Sequence, residues 1–302
     1  MSILVVGSVA LDNVETPFGQ GKDLLGGSAT YFSYAASYFT KVKMIAIIGE
    51  DFPKEYVEIL QKRDIDIQGL EKKSGKTFRW SGKYDYDLSN RETLAVELNV
   101  FSDFHPHIPE SYKDSKTLFL ANIDPDLQDE ILNQIKRPNL VICDTMDHWI
   151  QNKKNSIIKL LKKIDILMLN EGELRQLCEE HNIIKCIRSI LQSGIKIVVV
   201  KKGEHGVVIV SKDFHFATIG YPLEDVYDPT GAGDVFGGGF AGYLDKKNDI
   251  SEDNLKRAVI YGSVMASFNV EDFSLNRLLT LTNDEIEYRF KEFKKLTHFE
   301  EV

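Results

Sequence analysis

One strongly characteristic stretch reads Asp228-Pro229-Thr230-Gly231-Ala232-Gly233-Asp234 and continues as Val235-Phe236-Gly237-Gly238-Gly239-Phe240-Ala241-Gly242-Tyr243-Leu244. Its pattern predicts a helix over residues 232–245. Each glycine inside a helix is about 1 kcal/mol less favourable than alanine, so the four glycines after Asp234 weaken this helix by roughly 4 kcal/mol. Close packing against other helices, or unhindered approach of the backbone to a ligand, would offset that loss.

The start of this predicted helix carries the parts of an anion-binding site. Gly231 and Gly233 flank the turn, where free backbone N–H groups and the positive end of the helix dipole attract negative charge. Asp234 lies at the same terminus, and the dipole favours the ionised carboxylate that a general base needs. Amide donors beside a carboxylate suit phosphoryl transfer. For an isolated Gly-x-Gly-Asp sequence, a helix cap with packed glycines would be the preferred explanation.

Short apolar runs alternate with helical patterns along most of the chain. The apolar runs cover residues 3–7, 42–48, 117–120, 140–143, 166–169 and 195–200. The helical patterns cover residues 28–39, 54–63, 126–134, 155–163, 171–180, 183–193, 232–245, 252–269 and 283–295. Runs of this length suit strands buried on both faces, and the helices between them suit the crossovers of a parallel sheet. The sequence therefore predicts an α/β fold with a doubly wound sheet.

Two polar stretches, residues 13–25 and 77–101, interrupt this alternation. In each of them apolar or aromatic residues alternate with polar ones, which is typical of antiparallel strands with one covered face. We interpret the two stretches as a small β lid on the α/β body. The aromatic residues Phe78, Trp80, Tyr84 and Tyr86 are predicted to share one face of a lid strand. A surface β-meander without a function is the alternative.

The composition excludes several classes of protein. The chain has 302 residues and a formal charge of −9, which gives no electrostatic attraction to nucleic acid or anionic lipid. Its three cysteines form no C-x-x-C pair, so neither a disulfide framework nor a zinc ribbon is expected. No segment approaches the roughly 18 apolar residues of a membrane-spanning helix, and residues 1–7 lack a signal-peptide pattern. We therefore expect a cytoplasmic protein without nucleic-acid or membrane partners.

Residues 228–234 closely resemble the C-terminal signature of the ribokinase-like family of carbohydrate and nucleoside kinases, also called the phosphofructokinase B family. Further family marks appear in the right order: Gly7-Ser8 through Asp12, Gly26-Gly27, Asn170-Glu171-Gly172-Glu173, and Lys201-Lys202-Gly203-Glu204-His205-Gly206. The resemblance runs from Ile3 to about Phe268. It implies one kinase domain over residues 1–302, with a central, mostly parallel sheet, helices on both faces and a small β lid. The implied reaction transfers the γ-phosphoryl group of ATP, with Mg²⁺, to a hydroxyl of a sugar, a nucleoside or a similar alcohol.

The resemblance also implies the roles of individual residues. Asp234 would be the base, with anion-hole amides from Gly231, Ala232 and Gly233. Substrate-binding residues would be Asp12, Gly26, Gly27 and Trp80, nucleotide-binding residues would be Asn170, Lys201, Gly203 and Gly206, and Glu173 would hold Mg²⁺ through water.

The sequence itself suggests roles for some of these residues, independently of the resemblance. Asp12 would lie at the carboxyl end of the first strand, where ligands collect in α/β sheets, although it is equally explained as a turn residue. Asn170 and Glu173 also fit a helix cap and its capping-box partner.

One position departs from the family pattern. Tyr31 stands where many members have an asparagine that helps to recognise sugar hydroxyls, which argues against ribose bound in the usual way. A base stacks on an aromatic ring and a free sugar does not. The lid aromatics, Trp80 among them, and the loss of the asparagine at position 31 therefore together favour a nucleoside, with simple sugars as a close alternative.

Two alternative hypotheses concern the activity of the protein. A non-catalytic binding or regulatory member of the same fold is a second hypothesis, although such a protein would not need Asp234. A nicotinamide-dependent oxidoreductase is a third, and it is weakened because no dinucleotide fingerprint follows the first strand. There is no P-loop motif either. The lid is also a possible surface for a homodimer.

Overall fold

The structure, a computed structural model, describes residues 2–298 and 300. Its strands are β1 (Ser2–Val6), β2 (Ala10–Thr16), β3 (Gly19–Gly26), β4 (Lys41–Ile48), β5 (Asp66–Lys72), β6 (Phe78–Tyr84), β7 (Arg91–Glu97), β8 (Thr117–Leu120), β9 (Leu140–Asp144), β10 (Ile166–Asn170), β11 (Ile197–Lys201), β12 (Val207–Ser211) and β13 (His215–Thr218). Its helices are α1 (Ser28–Ala36), α2 (Lys54–Lys62), α3 (Pro125–Gln134), α4 (Asp147–Leu160), α5 (Glu171–Cys178), α6 (Ile183–Gln192), α7 (Ala232–Lys247), α8 (Glu252–Asn269), α9 (Asn276–Thr280) and α10 (Asn283–Thr297).

The six predicted apolar runs form the centre of one large sheet. Its nine strands follow the order β13-β12-β11-β10-β9-β8-β1-β4-β5. The strands from β11 to β5 in this order pair in parallel, and β12 and β13 extend the sheet in antiparallel fashion. The predicted doubly wound α/β sheet is therefore confirmed. The sequence analysis did not predict β5, β12, β13 or the short helix α9.

The core has two layers, one on each face of this sheet. Alternate residues of β1 divide between them, so that Ile3 and Val5 pack with α1, α7 and α8, whereas Leu4 and Val6 pack with the side of α3 to α6. These four β1 residues are completely buried. Such two-sided burial explains why the central strands have continuous apolar sequences instead of alternating ones.

The glycines inside α7 are explained by close helix packing. A methyl group at Gly239 would lie 2.9 Å from the Tyr261 carbonyl oxygen of α8, and one at Gly242 would lie 3.1 Å from the backbone of Ala36 in α1. α7 therefore lies in direct backbone contact with both neighbouring helices. A side chain at either position would force the helices apart. Of the two explanations offered by the sequence, packing applies to the body of this helix.

The second sheet has the order β3-β2-β6-β7 and occupies much of the two stretches assigned to the lid. We call it the lid sheet. It is not entirely antiparallel as predicted, because β2 and β6 pair in parallel. The predicted line of four aromatics holds only in part, because Trp80 and Tyr84 share a face of β6 but the other two residues do not extend the line. Tyr86 lies beyond β6 and is 91% exposed, while Phe78 stacks on Phe101 with 5.3 Å between ring centroids.

Asp12 requires another correction. It lies within β2 of the lid sheet and not at the carboxyl end of the first strand, because β1 ends at Val6. Contacts distant in sequence hold the turn between β1 and β2, where the Ser8 and Ser28 hydroxyls are 3.1 Å apart. The predicted domain limits, residues 1 and 302, lie outside the described residues. In the described part of the chain, no helix has the length and apolarity needed to cross a bilayer.

Candidate active site

The carboxyl ends of three neighbouring strands form one side of the candidate site. Asp144, Asn170 and Lys201 are the last residues of β9, β10 and β11. Asn170 pairs directly with Lys201, and Asp144 pairs with Met168 of β10, so the three side chains start from one edge of the sheet. This edge is where ligands collect in open α/β sheets.

The amino end of α7 lies beside these strand ends. Gly231 is the residue before the helix and has a φ of 76°, a left-handed conformation that favours glycine. A methyl group here would lie 2.5 Å from ring atoms of Tyr31, so the turn rests directly on that ring. The Asp228 carboxylate braces the turn by accepting a hydrogen bond from the Thr230 N–H at 2.8 Å.

The predicted anion-hole amides are not equivalent. The Ala232 N–H already donates to the Pro229 carbonyl at 3.2 Å. Among the described residues, the Gly231 and Gly233 N–H groups have no acceptor in the backbone. These two amides are therefore the ones free to bind an oxyanion at the helix terminus.

Lys201 is the central cation of a group of acids. Its Nζ lies 2.7 Å from Oδ2 of Asp144, and both side chains are largely buried. Burial alone would lower the pKa of Lys201, but the charges of Asp144, Glu173 and Asp234 raise it overall. A methyl group at Gly233 would lie 3.2 Å from this Nζ. The ammonium is thus next to the free amides of the turn.

Two carboxyl groups near Lys201 have strongly raised pKa values. Burial raises the pKa of Asp234 to about 7, with the charge of Asp144 adding to the effect and Lys201 opposing it. Burial also raises the pKa of Glu173 to about 7. One lysine thus faces three acids, and shifts of this kind are frequent where groups take part in proton transfer or ligand binding. We call Asp144, Asn170, Glu173, Lys201 and residues 231–234 the site floor.

Glu173 and Asn170 form the capping box predicted as their alternative role. The Asn170 N–H donates to Glu173 Oε2 at 2.7 Å, and the Glu173 N–H donates to Asn170 Oδ1 at 2.8 Å. In the described residues, no three acidic, histidine or cysteine side chains converge as metal ligands. The floor nevertheless has an excess of carboxylates over cations. This donor set fits Mg²⁺, which takes few protein oxygens and keeps several waters.

The substrate candidates lie on the lid side. Asp12 pairs with Trp80 across β2 and β6. The Asp12 carboxylate lies directly against Gly26, where any side chain would overlap it. Gly27, the residue before α1, has a φ of 94°. Asp12 is only 4% exposed. Burial, together with the charges of Asp228 and Asp234, raises its pKa to about 8.

Gly203 and Gly206 lie in the turn after β11, close to Lys201 in sequence. The turn is closed by a hydrogen bond from the Lys202 N–H to the Gly206 carbonyl at 2.8 Å. Gly206 packs against the Thr218 backbone, with a φ of 89°. These contacts account for the glycine structurally, and a nucleotide-binding role for the two residues stays a prediction.

Sequence reasoning missed several residues of this site. Asp144 ends a buried strand at the same sheet edge as Asn170, but it belongs to none of the family marks quoted from the sequence. Tyr84 was noted only as an aromatic residue, yet its hydroxyl accepts a hydrogen bond from Thr230 Oγ1 at 3.2 Å. Tyr31, which the sequence had already singled out for replacing an asparagine, is 1% exposed, and its hydroxyl has no partner among the described residues. Arg91 had no signal at all in the sequence pattern.

Comparison with known proteins identifies the family. The pattern of the pfkB family carbohydrate kinases matches residues 3–280. The cytidine kinase of Thermococcus kodakarensis is 30% identical over 249 residues, which are 80% of this chain and 88% of that protein. The chain belongs to the pfkB family of carbohydrate kinases, as the resemblance predicted. It is a small-molecule phosphotransferase, and ATP is its co-substrate.

Solved structures share the fold. The nucleoside kinase of Methanocaldococcus jannaschii matches with a TM-score of 0.78 at 22% identity, covering 96% of this chain and 98% of that one. The nucleoside kinase of Burkholderia thailandensis in complex with inosine gives a TM-score of 0.79 at 18% identity, covering 96% and 97% of the two chains. An Escherichia coli structure in complex with ATP and Mg²⁺ gives 0.79 at 20% identity, covering 96% and 99%. The ribokinase-like fold is therefore confirmed.

Proposed function

We propose that this kinase phosphorylates a hydroxyl group of a nucleoside, with Asp234 as the general base. The observation that carries the proposal is the position of Asp234. It lies in the first turn of α7, in the same turn as the free amides of Gly231 and Gly233, and the charge of Lys201 acts on it. A base next to oxyanion donors is the arrangement that phosphoryl transfer requires.

In the proposed reaction, Asp234 accepts the proton of the acceptor hydroxyl as the oxygen attacks the γ-phosphorus of ATP. A carboxyl group with a pKa of about 7 is partly ionised at neutral pH and is a stronger base than an ordinary aspartate. The Gly231 and Gly233 amides would donate to the oxygens of the transferring group, where charge develops. Lys201, held by Asp144, would neutralise the neighbouring phosphate charge.

Glu173 and Asn170 are the residues that would hold Mg²⁺ beside the nucleotide. When bound, Mg²⁺ would offset the negative charge of the phosphates. The capping box fixes the Glu173 carboxylate at the end of β10, so it is positioned before any ligand arrives. Asp12, against Gly26, would accept hydrogen bonds from the acceptor's hydroxyl groups.

A nucleoside is the preferred acceptor for two reasons. Trp80 pairs with Asp12 across the lid sheet, which places a flat ring next to the residue proposed to bind hydroxyl groups. Stacking of a base on an aromatic ring is worth about 1–3 kcal/mol, and a free sugar lacks such a face. The relative that is 30% identical is a cytidine kinase, which supports the same preference.

The test is a panel of acceptors incubated with ATP and Mg²⁺, with phosphorylated product measured directly. The panel contains cytidine, uridine, adenosine, inosine, ribose and fructose. We expect kcat/KM for the best nucleoside to exceed that for either sugar by at least about tenfold, equivalent to roughly 1.4 kcal/mol. Preference for a sugar would contradict the nucleoside assignment. Binding of ATP and nucleosides without any product would contradict catalysis and support the regulatory alternative.

We also propose that the chain forms a homodimer through the lid sheet. Strand β7 is exposed along its whole length and lies at a free edge of that sheet. Leu94 and Val96 of this strand and Leu98 directly after it are 55%, 52% and 47% exposed, and an exposed edge strand readily pairs with another chain. Sedimentation should show a dimer that Leu94→Lys weakens. A monomer at all concentrations tested would contradict this assignment.

A further inference from the structure

Arg91 is the first residue of β7 and lies on the face of the lid sheet that points to the site floor. It pairs directly with Tyr84 of β6, and residues that are directly opposite in a sheet share a face. The direction of that face is known, because the Tyr84 hydroxyl is bonded to Thr230 in the turn before α7. Trp80 lies on the same face, since it is four residues before Tyr84 in the same strand.

Among the described residues, the guanidinium group of Arg91 contacts an aromatic ring and not an acid. Its centre lies 5.4 Å from the centre of the Trp80 ring, a cation–π contact, and within the described part of the chain it forms no ion pair. The other lid arginine, Arg79, is paired with Asp23 and with Asp51. Arg91 is thus a lid cation whose binding capacity is unused in the free protein.

The positive charge of Arg91 affects the pKa values of two carboxyl groups, those of Asp12 and Asp234. Burial raises the pKa values of Asp12 and Asp234, and the positive charge of Arg91 opposes this effect on both groups. Asp12 is proposed to bind the acceptor and Asp234 to take its proton. Arg91 is also directly opposite Tyr84, whose hydroxyl contacts the turn that holds the free amides, so its guanidinium is on the side of the lid sheet that faces a phosphoryl group bound at those amides.

We propose that Arg91 binds the oxygens of the phosphoryl group while it moves from ATP to the acceptor hydroxyl. The proposal rests on the proposed function. A bond forms between the acceptor oxygen and the γ-phosphorus, the bond from that phosphorus to the bridging oxygen breaks, and its electron pair stays on the new ADP. The hydroxyl proton goes to Asp234. Arginine suits this role because its planar, always charged fork binds phosphate oxygens at two points.

Arg91 could bind the same kind of oxygen atoms if the acceptor itself carried a carboxylate or phosphate group. The two sources predict different kinetics. A guanidinium that acts on the moving phosphoryl group affects the transition state, and its loss lowers kcat. A guanidinium that binds a carboxylate or phosphate on the acceptor contributes before the transition state as well, and its loss raises the acceptor KM.

The experiment compares Arg91→Gln and Arg91→Lys with Lys83→Gln. Lys83→Gln is a matched control because it also removes one positive charge from the lid sheet. Lys83 lies on the opposite face of that sheet, where it pairs with Glu15 at 2.5 Å. Steady-state kcat and KM are measured with the best acceptor of the panel, whatever its class. Using that acceptor separates failure of the Arg91 proposal from failure of the nucleoside assignment.

We expect Arg91→Gln to lower kcat by roughly 10²-fold, the usual effect of removing one donor to a developing oxyanion, with the acceptor KM changed less than about threefold. Arg91→Lys should recover part of this loss, because it keeps the charge but not the fork. Lys83→Gln should match the wild type. Unchanged kcat in Arg91→Gln, or a raised acceptor KM alone, would overturn the proposal.

Discussion

The site floor and the lid sheet balance their charges in opposite ways. In the floor, Asp144, Glu173 and Asp234 share the single ammonium of Lys201, and the pKa values of two of these acids rise to about 7. On the face of the lid sheet turned away from the floor, charges are paired, as in the contact between Lys83 and Glu15, whereas Arg91 on the other face has no acidic partner among the described residues. Exposed pairs contribute little to stability, whereas an uncompensated cluster of partly buried acids lowers it. The difference is typical of a floor arranged to bind a ligand.

The largest expected effect concerns the base of the floor. Asp234→Asn should lower kcat by roughly 10²–10⁴-fold, the usual contribution of a positioned general base. Folding and ATP binding should change little, because asparagine keeps the shape of the side chain. Asp213→Asn, an exposed aspartate in a turn, is the control and should leave kcat unchanged. Near-wild-type turnover of Asp234→Asn at neutral pH would remove Asp234 from the mechanism.

A second change tests the free amides of the floor. Gly233→Ala should lower kcat by on the order of 10²-fold and change the acceptor KM less, because donors to developing charge act mainly in the transition state. The added methyl group would also lie 3.2 Å from Lys201 Nζ and displace the ammonium. Stopped-time product assays over a range of acceptor concentrations give both constants. An effect confined to KM would contradict the anion-hole assignment.

A third change moves from the floor to the lid. Trp80→Ala should weaken nucleoside binding by about tenfold to a hundredfold, the value of one base stacked on an aromatic ring, and should affect sugars much less. The measurement is kcat/KM for each acceptor of the panel. Trp80 also contacts Arg91, so a loss of kcat shared by all acceptors would assign Trp80 to holding that arginine and would contradict base stacking.

The smallest expected effect concerns the cation. Activity should require a divalent cation, and Glu173→Gln should raise the Mg²⁺ concentration needed for half-maximal activity by about tenfold, a typical result of altering a group near a metal. The amide keeps the size of the side chain, so the capping box should survive. Activity assayed over a Mg²⁺ titration provides the comparison. Full wild-type activity in excess chelator would contradict this role.

The floor was more predictable from the sequence than the lid for a physical reason. Asn170 and Lys201 follow apolar runs, and the ends of parallel strands have to meet at one edge. Asp234 lies in the first turn of a helix whose beginning is indicated by Gly231 and Gly233. These positions depend on local sequence and on one topological rule.

The positions of the lid residues depend on contacts between distant segments. Asp12 was expected at the end of the first strand, but the turn at Ser8 is held by Ser28, twenty residues away. Arg91 faces the site only because β7 pairs with β6 in a particular register. The unpredicted strand β5 is half-exposed at a sheet edge and therefore lacks a continuous apolar run.

The central claim is that Asp234 is the base, and the pH dependence of kcat/KM tests it most directly. This ratio reports ionisations of the free enzyme. Because burial raises the pKa of Asp234 to about 7, and only the ionised form accepts a proton, kcat/KM should fall below that pH and level off above it. The decline should be about tenfold per pH unit, and Asp234→Asn should lose the part that Asp234 contributes and keep only that of Asp12 and Glu173. A wild-type profile that stays flat through neutral pH, or an identical decline in Asp234→Asn, would contradict the assignment.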